Sequence, residues 1–212
     1  MPSAAIASFP TIAMAEEDPS SLPHEESLDA ILMARAGQGD HVAFRELVER
    51  HQHAVVGTVA KMLGDPAEAE DIAQQVFLRL WKHAKRYRPE AKFTTYLFTI
   101  ARNLVFNETR RRSRRKEVSI EEREETTHAH LPAPPQREPD AALLRGEMQE
   151  AIDQAIQSLP EAQRMAVVLR RYEQMPYEDI ARTLDLTVPA VKSLLFRART
   201  TLREALKNYL DD

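Results

Sequence analysis

The stretch Asp65-Pro-Ala-Glu-Ala-Glu-Asp-Ile-Ala-Gln-Gln-Val-Phe-Leu-Arg-Leu-Trp81 reads as one helix with two differently committed faces. Asp65 can cap its N-terminus, Pro66 suits the first helical position, and Glu68 completes a capping-box pattern. Ala69, Ile72, Ala73, Val76, Phe77 and Leu80 follow the i, i+3, i+4, i+7, i+8, i+11 spacing of a continuous apolar stripe, which must be buried. The other side carries Asp71, Gln74, Gln75, Leu78, Arg79 and Lys82. A purely solvated face has little use for Leu78, so this side reads as a docking surface.

Outward from this helix the chain is helical in pattern. Leu28 to about Ala36 forms a short periodic segment ended by Gly37-Gln-Gly39, and Asp40 can cap a helix whose apolar face is Phe44, Leu47, Val48, Val55, Val56, Val59 and Leu63, closed by Gly64. After a basic connector, residues 85–92, a further helix has Phe93, Tyr96, Leu97, Ile100, Ala101 and Leu104 as its core face. Its other side mixes Thr95, Phe98, Thr99, Arg102, Phe106 and Arg110, and it runs into an arginine cluster. Residues 113–140 pass from basic to acidic to Pro-rich and read as a flexible linker. Periodicity resumes near Asp140 and persists to Tyr209, broken at Leu159-Pro160, Gln174-Met-Pro176 and Asp185-Leu-Thr187, which fits four helices. No strand alternation occurs. The expected fold is all-α: two small helical domains, 28–112 and 141–212, joined by the linker 113–140 and preceded by a flexible acidic tail, 1–27.

The 212 residues contain no cysteine and only five glycines. Disulfides and thiolate metal sites are thereby excluded, and the default compartment is the cytoplasm. No basic n-region with an apolar core opens the chain, and no apolar run is long enough to span a membrane, so no membrane insertion is expected. The net charge of −4 misleads until it is resolved along the chain. Residues 1–29 hold six acids and no Lys or Arg, which leaves the remainder at +2. Within it, Arg110, Arg111, Arg112, Arg114, Arg115 and Lys116 form one basic cluster, and Lys192, Arg197, Arg199, Arg203 and Lys207 form another. Two separated basic sites suggest two contacts with one polyanion.

The second cluster lies on a helix-turn-helix pattern that begins at Tyr177. Ile180, Ala181 and Leu184 face inward on the first helix, Leu186 fills the turn, Thr187 caps the second helix, and Val191 and Leu195 anchor it. Early residues of the second helix enter the major groove in this motif, which makes Thr187, Pro189, Ala190, Lys192, Ser193, Arg197 and Arg199 the candidates for contact with DNA. Asp185 stands at the turn, where it must tolerate the turn conformation, and Pro176 leaves the first helix without a side-chain cap.

Taken together, the two-faced helix, Phe93-Thr-Thr-Tyr-Leu-Phe-Thr-Ile-Ala-Arg-Asn103 before the arginines, and Ser158-Leu-Pro-Glu-Ala-Gln-Arg164 before the helix-turn-helix resemble bacterial sigma factors of the extracytoplasmic-function (ECF) group. The resemblance implies that Asp71, Gln74, Gln75, Leu78 and Arg79 dock on core RNA polymerase. It implies that Lys92, Thr94, Thr95, Phe98, Arg102, Asn103, Phe106, Asn107 and Arg110 read and open the minus-ten promoter element, and that the helix-turn-helix reads the minus-35 element. Promoter DNA and core polymerase are the implied partners, an anti-sigma factor the implied regulator, and transcription initiation the implied function.

An autonomous helix-turn-helix regulator, or a sigma-like decoy for an anti-sigma factor, would share the second domain but leaves the docking face without a purpose. An enzyme is a weaker reading still, because no nucleophile with a placed base and no phosphate-binding glycine loop stand out. His51-x-His53 and His128-x-His130 have poor spacing for metal ligands, and neither metal nor cofactor is expected. Residues 113–140 reach on the order of 95 Å when extended. Promoter elements two helical turns apart lie roughly 60–70 Å from each other, so the linker spans the gap without fixing it, and a scaffold must hold the domains apart.

Overall fold

The computed structural model describes residues 24–121 and 141–210. The described residues form helices α1 (His24–Gly37), α2 (His41–Leu63), α3 (Pro66–His83), α4 (Phe93–Glu121), α5 (Ala141–Ser158), α6 (Glu161–Arg171), α7 (Tyr177–Leu184), α8 (Val188–Ala205) and the short α9 (Lys207–Leu210), with a 3₁₀ turn at Ala84–Arg86 and no strand among them. The all-α expectation holds.

Local chemistry sets the joints. Asp40 accepts hydrogen bonds from the backbone N–H groups of Val42 at 2.9 Å and Ala43 at 3.0 Å, which caps α2. Gly64 ends α2 in the left-handed region at φ 69°, a conformation glycine adopts without penalty. Asp65 then caps α3 through Ala67 N at 3.0 Å and Glu68 N at 3.2 Å. The Glu68 carboxylate does not complete the box as the pattern suggested. It turns instead to Arg112 and Arg111 of α4, because a half-buried carboxylate gains more from a guanidinium than from one amide.

Helices α1 to α4 enclose one core. Leu32 and Met33 of α1, Leu47, Val55, Val59 and Met62 of α2, the whole expected stripe of α3, and Phe93, Leu97, Ala101 and Leu104 of α4 are all buried. Asp29, also buried, is held by Arg50 Nε at 2.8 Å and His51 Nε2 at 2.8 Å, which ties α1 to α2. Gly37 permits a close approach to the 3₁₀ turn, where a Cβ would lie 2.8 Å from the Ala84 carbonyl oxygen. In the second domain Ile156, Leu159, Met165, Val168, Leu169, Ile180, Ala181, Leu184, Val191 and Ala198 form the interior.

Two expectations are corrected. Leu186 does not fill the turn: it is 41% exposed, since the turn is closed by Asp185 in the left-handed region at φ 58° and by the backbone bond from Leu186 N to Ala181 O. The stretch read as linker also begins as helix. Helix α4 continues past Arg112 to Glu121, in a run rich in Arg, Lys and Glu that holds neither glycine nor proline. Helix α1 begins at His24, ahead of Leu28. The expected tail within residues 1–23 and the rest of the expected linker, 122–140, lie outside the described residues.

The two domains pack on each other. The C-terminal end of α2 is capped by the second domain: Gln157 Nε2 donates to the Lys61 carbonyl at 2.7 Å and Arg164 Nη1 to the Met62 carbonyl at 2.6 Å. Thr58 Oγ1 donates to Glu173 at 2.9 Å, and Lys61 pairs with Asp153 at 3.2 Å while lying over the Tyr172 ring. Helix α4 packs along α7.

Candidate functional site

Three surfaces carry the residues singled out from sequence. On α3, burial of the stripe leaves Asp71, Gln74, Gln75, Leu78 and Arg79 exposed together on one face. Leu78 is 59% exposed, so it is an aliphatic side chain with no core to join. The helix is pinned beneath this face by six buried residues and at its start by Asp65, which fixes where the face points.

On α4 the candidates separate. Asn103, Asn107 and Arg110 are exposed, Lys92, Thr94, Arg102 and Phe106 are half-buried, and Thr95 and Phe98 are buried. Part of what covers them is α7 of the helix-turn-helix. Arg102 Nε donates to the Thr183 carbonyl at 3.0 Å, and Lys92 Nζ lies 3.6 Å from the carboxylate of Asp179, which is itself buried. Burial draws the Arg102 guanidinium below its ordinary range, with Asp185 opposing the shift. The Arg102 guanidinium also lies 5.7 Å from the Phe106 ring centroid. The hydroxyls of Thr95 and Thr183 are both shut from solvent without a hydrogen-bond partner.

The arginine cluster that follows is less available than its sequence suggested. Arg111 pairs with Glu108 at 2.7 Å, and Arg112 pairs with Glu68 and donates to the Leu63 carbonyl at 3.0 Å, which closes the end of α2. Arg110, Arg114 and Arg115 remain exposed.

On α8, Thr187 accepts from Ala190 N at 3.4 Å and sets the start of the helix. Thr187, Pro189, Lys192, Ser193, Arg197 and Arg199 are exposed and Ala190 is half-buried. Lys192, Ser193 and Arg197 border a shallow recess together with Phe196, whose ring is 69% exposed. Phe196 was missed from sequence, although its spacing from Lys192 and Ser193 puts it on their face. Arg199 lines a separate groove of about 860 Å³ of mixed apolar and basic character with Ile152, Leu195, Leu202 and Arg203.

Among the described residues no group of three or more His, Cys, Asp or Glu side chains is placed to hold a metal ion. His51 is committed to Asp29 and lies 5.1 Å from the Phe93 ring, His53 is exposed, and His128 and His130 lie outside the described residues. Among the described residues no helix is long and apolar enough to cross a membrane.

The chain matches the family descriptions "Sigma-70 region 2" over residues 47–115 and "Sigma-70, region 4" over residues 149–202. It is 36% identical to the RNA polymerase sigma-H factor of Pseudomonas aeruginosa, over 86% of this chain and 95% of that protein. It is 31% identical to the ECF RNA polymerase sigma-E factor of Escherichia coli K12, over 84% of this chain and 94% of that one. Its fold is similar to that of CnrH, solved in complex with the cytosolic domain of CnrY, with a TM-score of 0.64 at 24% identity, covering 85% of this chain and 98% of CnrH. The Bartonella quintana sigma factor RpoE, solved with the anti-sigma factor NepR, gives a TM-score of 0.61 at 23% identity, covering 77% of this chain and 96% of the other. With matches to both sigma-70 regions, and with relatives at least 31% identical over 84% or more of its length, the chain belongs to the ECF group of bacterial RNA polymerase sigma factors.

Proposed function

We propose that this protein binds core RNA polymerase through the α3 face, directs the enzyme to promoters through α8, and uses α4 to hold opened minus-ten DNA. The observation that carries the reading is the exposed aliphatic Leu78 among Asp71, Gln74, Gln75 and Arg79, on a helix whose opposite side is wholly buried. A monomeric regulator that acted alone would have no use for that face.

On α8, Lys192 and Arg197 can donate to guanine edges or phosphates and Ser193 to several base edges. Phe196 adds an apolar surface of the kind that meets a thymine methyl. On α4, Asn103, Asn107 and Arg110 are positioned for unstacked bases and backbone, with Lys92, Thr94, Thr95, Phe98, Arg102 and Phe106 as further contacts once uncovered. Any catalysis belongs to the polymerase. The site of action is the cytoplasm, where polymerase and chromosome meet, and the regulator is an anti-sigma factor, as in the solved complex of RpoE with NepR.

Run-off transcription from a genomic library with purified core polymerase tests this reading. Promoter-specific RNA that depends on the added protein is expected. Specific duplex binding of equal affinity without polymerase, and no RNA with it, would favour an autonomous regulator instead.

A further inference from the structure

We propose that residues 6–18, which precede α1, seat in the groove between α5, α6 and α8 of the same chain, with Ile6, Phe9, Ile12 and Met14 on its apolar floor and Glu16, Glu17 and Asp18 on its arginine rim. The seated segment holds Arg199 away from DNA. That consequence rests on the reading of α8 proposed above; the seat itself does not.

The groove brings two chemistries together. Ile152 of α5 and Leu195, Leu202 and Leu206, along and just beyond α8, are half-buried on its floor, so apolar surface is left wet there. Arg170, Arg171, Arg199 and Arg203 stand exposed around it, and among the described residues no acid lines it. Arg170 is partly committed, to the Met175 carbonyl at 2.9 Å and to the Tyr177 ring. Arg171, Arg199 and Arg203 have no carboxylate partner among the described residues. A bare polyanion would leave the floor wet, and a purely apolar occupant would leave the rim unneutralised. The occupant that fits is apolar and anionic within a short length.

Residues 6–18 offer that combination. Ile6, Phe9, Ile12 and Met14 are followed directly by Glu16, Glu17 and Asp18, and residues 1–29 hold no Lys or Arg.

The fold also brings the start of α1 to this end of the molecule. Helices α1 and α2 form an antiparallel pair joined by residues 38–40, with Asp29 held by Arg50 and His51. Followed back toward the chain start, α1 therefore runs along α2 in the direction of Thr58, with His24 about 7.5 Å beyond Asp29 and Thr58 about 10 Å beyond His51. Thr58 donates to Glu173 at 2.9 Å, and the flanking Tyr172 and Gln174 line the groove. From His24 back to Asp18 the chain reaches up to about 20 Å, which carries the acids past Tyr172 to the rim and the apolar residues onto the floor.

Photo-cross-linking in the full-length chain tests the seat. With Phe9→p-benzoylphenylalanine, irradiation should join position 9 to groove residues such as Leu195 or Leu202 of the same molecule, read by mass spectrometry of the monomer band. Cross-links elsewhere in the chain, none at all, or mainly between two chains overturn it, the last assigning the groove to a second copy. Duplex binding tests the consequence. On a dye-labelled random-sequence duplex at about 50 mM salt, Phe9→Ser with Ile12→Ser should raise affinity about threefold, as should Glu16→Gln with Glu17→Gln and Asp18→Asn, and both gains should vanish by about 300 mM. A gain from the charge variants alone would replace the seat with diffuse screening, and no gain from either would overturn the hold on Arg199. If no variant and no parent protein binds duplex, the reading of α8 fails instead, while the cross-link still reports on the seat.

Discussion

Arg164 Nη1 donates to the carbonyl oxygen of Met62 at 2.6 Å and to Oε1 of Gln157 at 2.9 Å, so one guanidinium from the second domain closes the end of a helix in the first. Its Nη2 also donates to the carbonyls of Gln157 and Leu159, which shapes the turn into α6. A planar fork can satisfy these acceptors together, and a lysine point charge cannot. Arg164→Ala should lower unfolding free energy by about 2 kcal/mol, and Arg164→Lys should recover less than half of it. Urea titration followed by circular dichroism measures both; no loss in the alanine variant would show these bonds to be exchangeable with water.

Leu78 and Leu80 are two residues apart on α3 and have opposite fates, at 59% and 0% exposure. Leu78→Asp should leave the melting temperature within a few degrees of the parent and abolish capture of core polymerase. Leu80→Asp should unfold the first domain, because an unpaired carboxylate in that core costs several kcal/mol. If Leu78→Asp retains polymerase binding in a pull-down, the docking face has been placed wrongly.

Phe196 and Lys192 share a face of α8 but predict different signatures. Lys192→Ala should weaken duplex binding across sequences and reduce the slope of log affinity against log salt by about 1. Phe196→Ala should leave that slope unchanged and relax preference at one base pair by about 1 kcal/mol. Neither should alter stability, since both side chains are exposed. Fluorescence anisotropy with holoenzyme across a salt series separates the two.

Glu173 gives the fold a pH dependence. Burial raises its carboxyl above the ordinary value of 4.5, so folding favours proton uptake there. Its contribution to stability is greatest below 4.5 and is lost as pH rises through the raised folded value. Glu173→Gln, which can still accept from Thr58, should therefore raise the melting temperature at neutral pH. That gain should shrink on acidification to about pH 4.5. A gain independent of pH would assign the effect to something other than the buried charge.

The helices were legible because amphipathic period is a local property. Every residue of the α3 stripe is buried, and Asp40, Gly64, Asp65 and Thr187 all perform the terminal roles their chemistry suits. The packing of one domain on the other was not legible. It joins Gln157, Arg164 and Glu173 to Lys61, Met62 and Thr58, pairs of polar groups far apart in sequence that leave no periodic trace. Glu68 and Arg112 were misread for the same reason, since one read as half of a capping box and the other as part of a basic cluster, and each found the other. The exposed set on α8 was nearly complete from spacing alone. Phe196 was missed because only the polar and small residues of that face were weighed for contact with DNA.

Helix α4 is 29 residues long, a rod of about 44 Å. Because it carries the chain to Glu121, residues 122–140 can supply at most about 65 Å of leash, close to the roughly 60–70 Å between promoter elements two turns apart. The slack that a fully flexible 113–140 would have offered is largely taken up. Promoters with a longer spacer should then be penalised more steeply than those with a shorter one, making the stiff exit of α4 a built-in limit on how far apart two half-sites can lie.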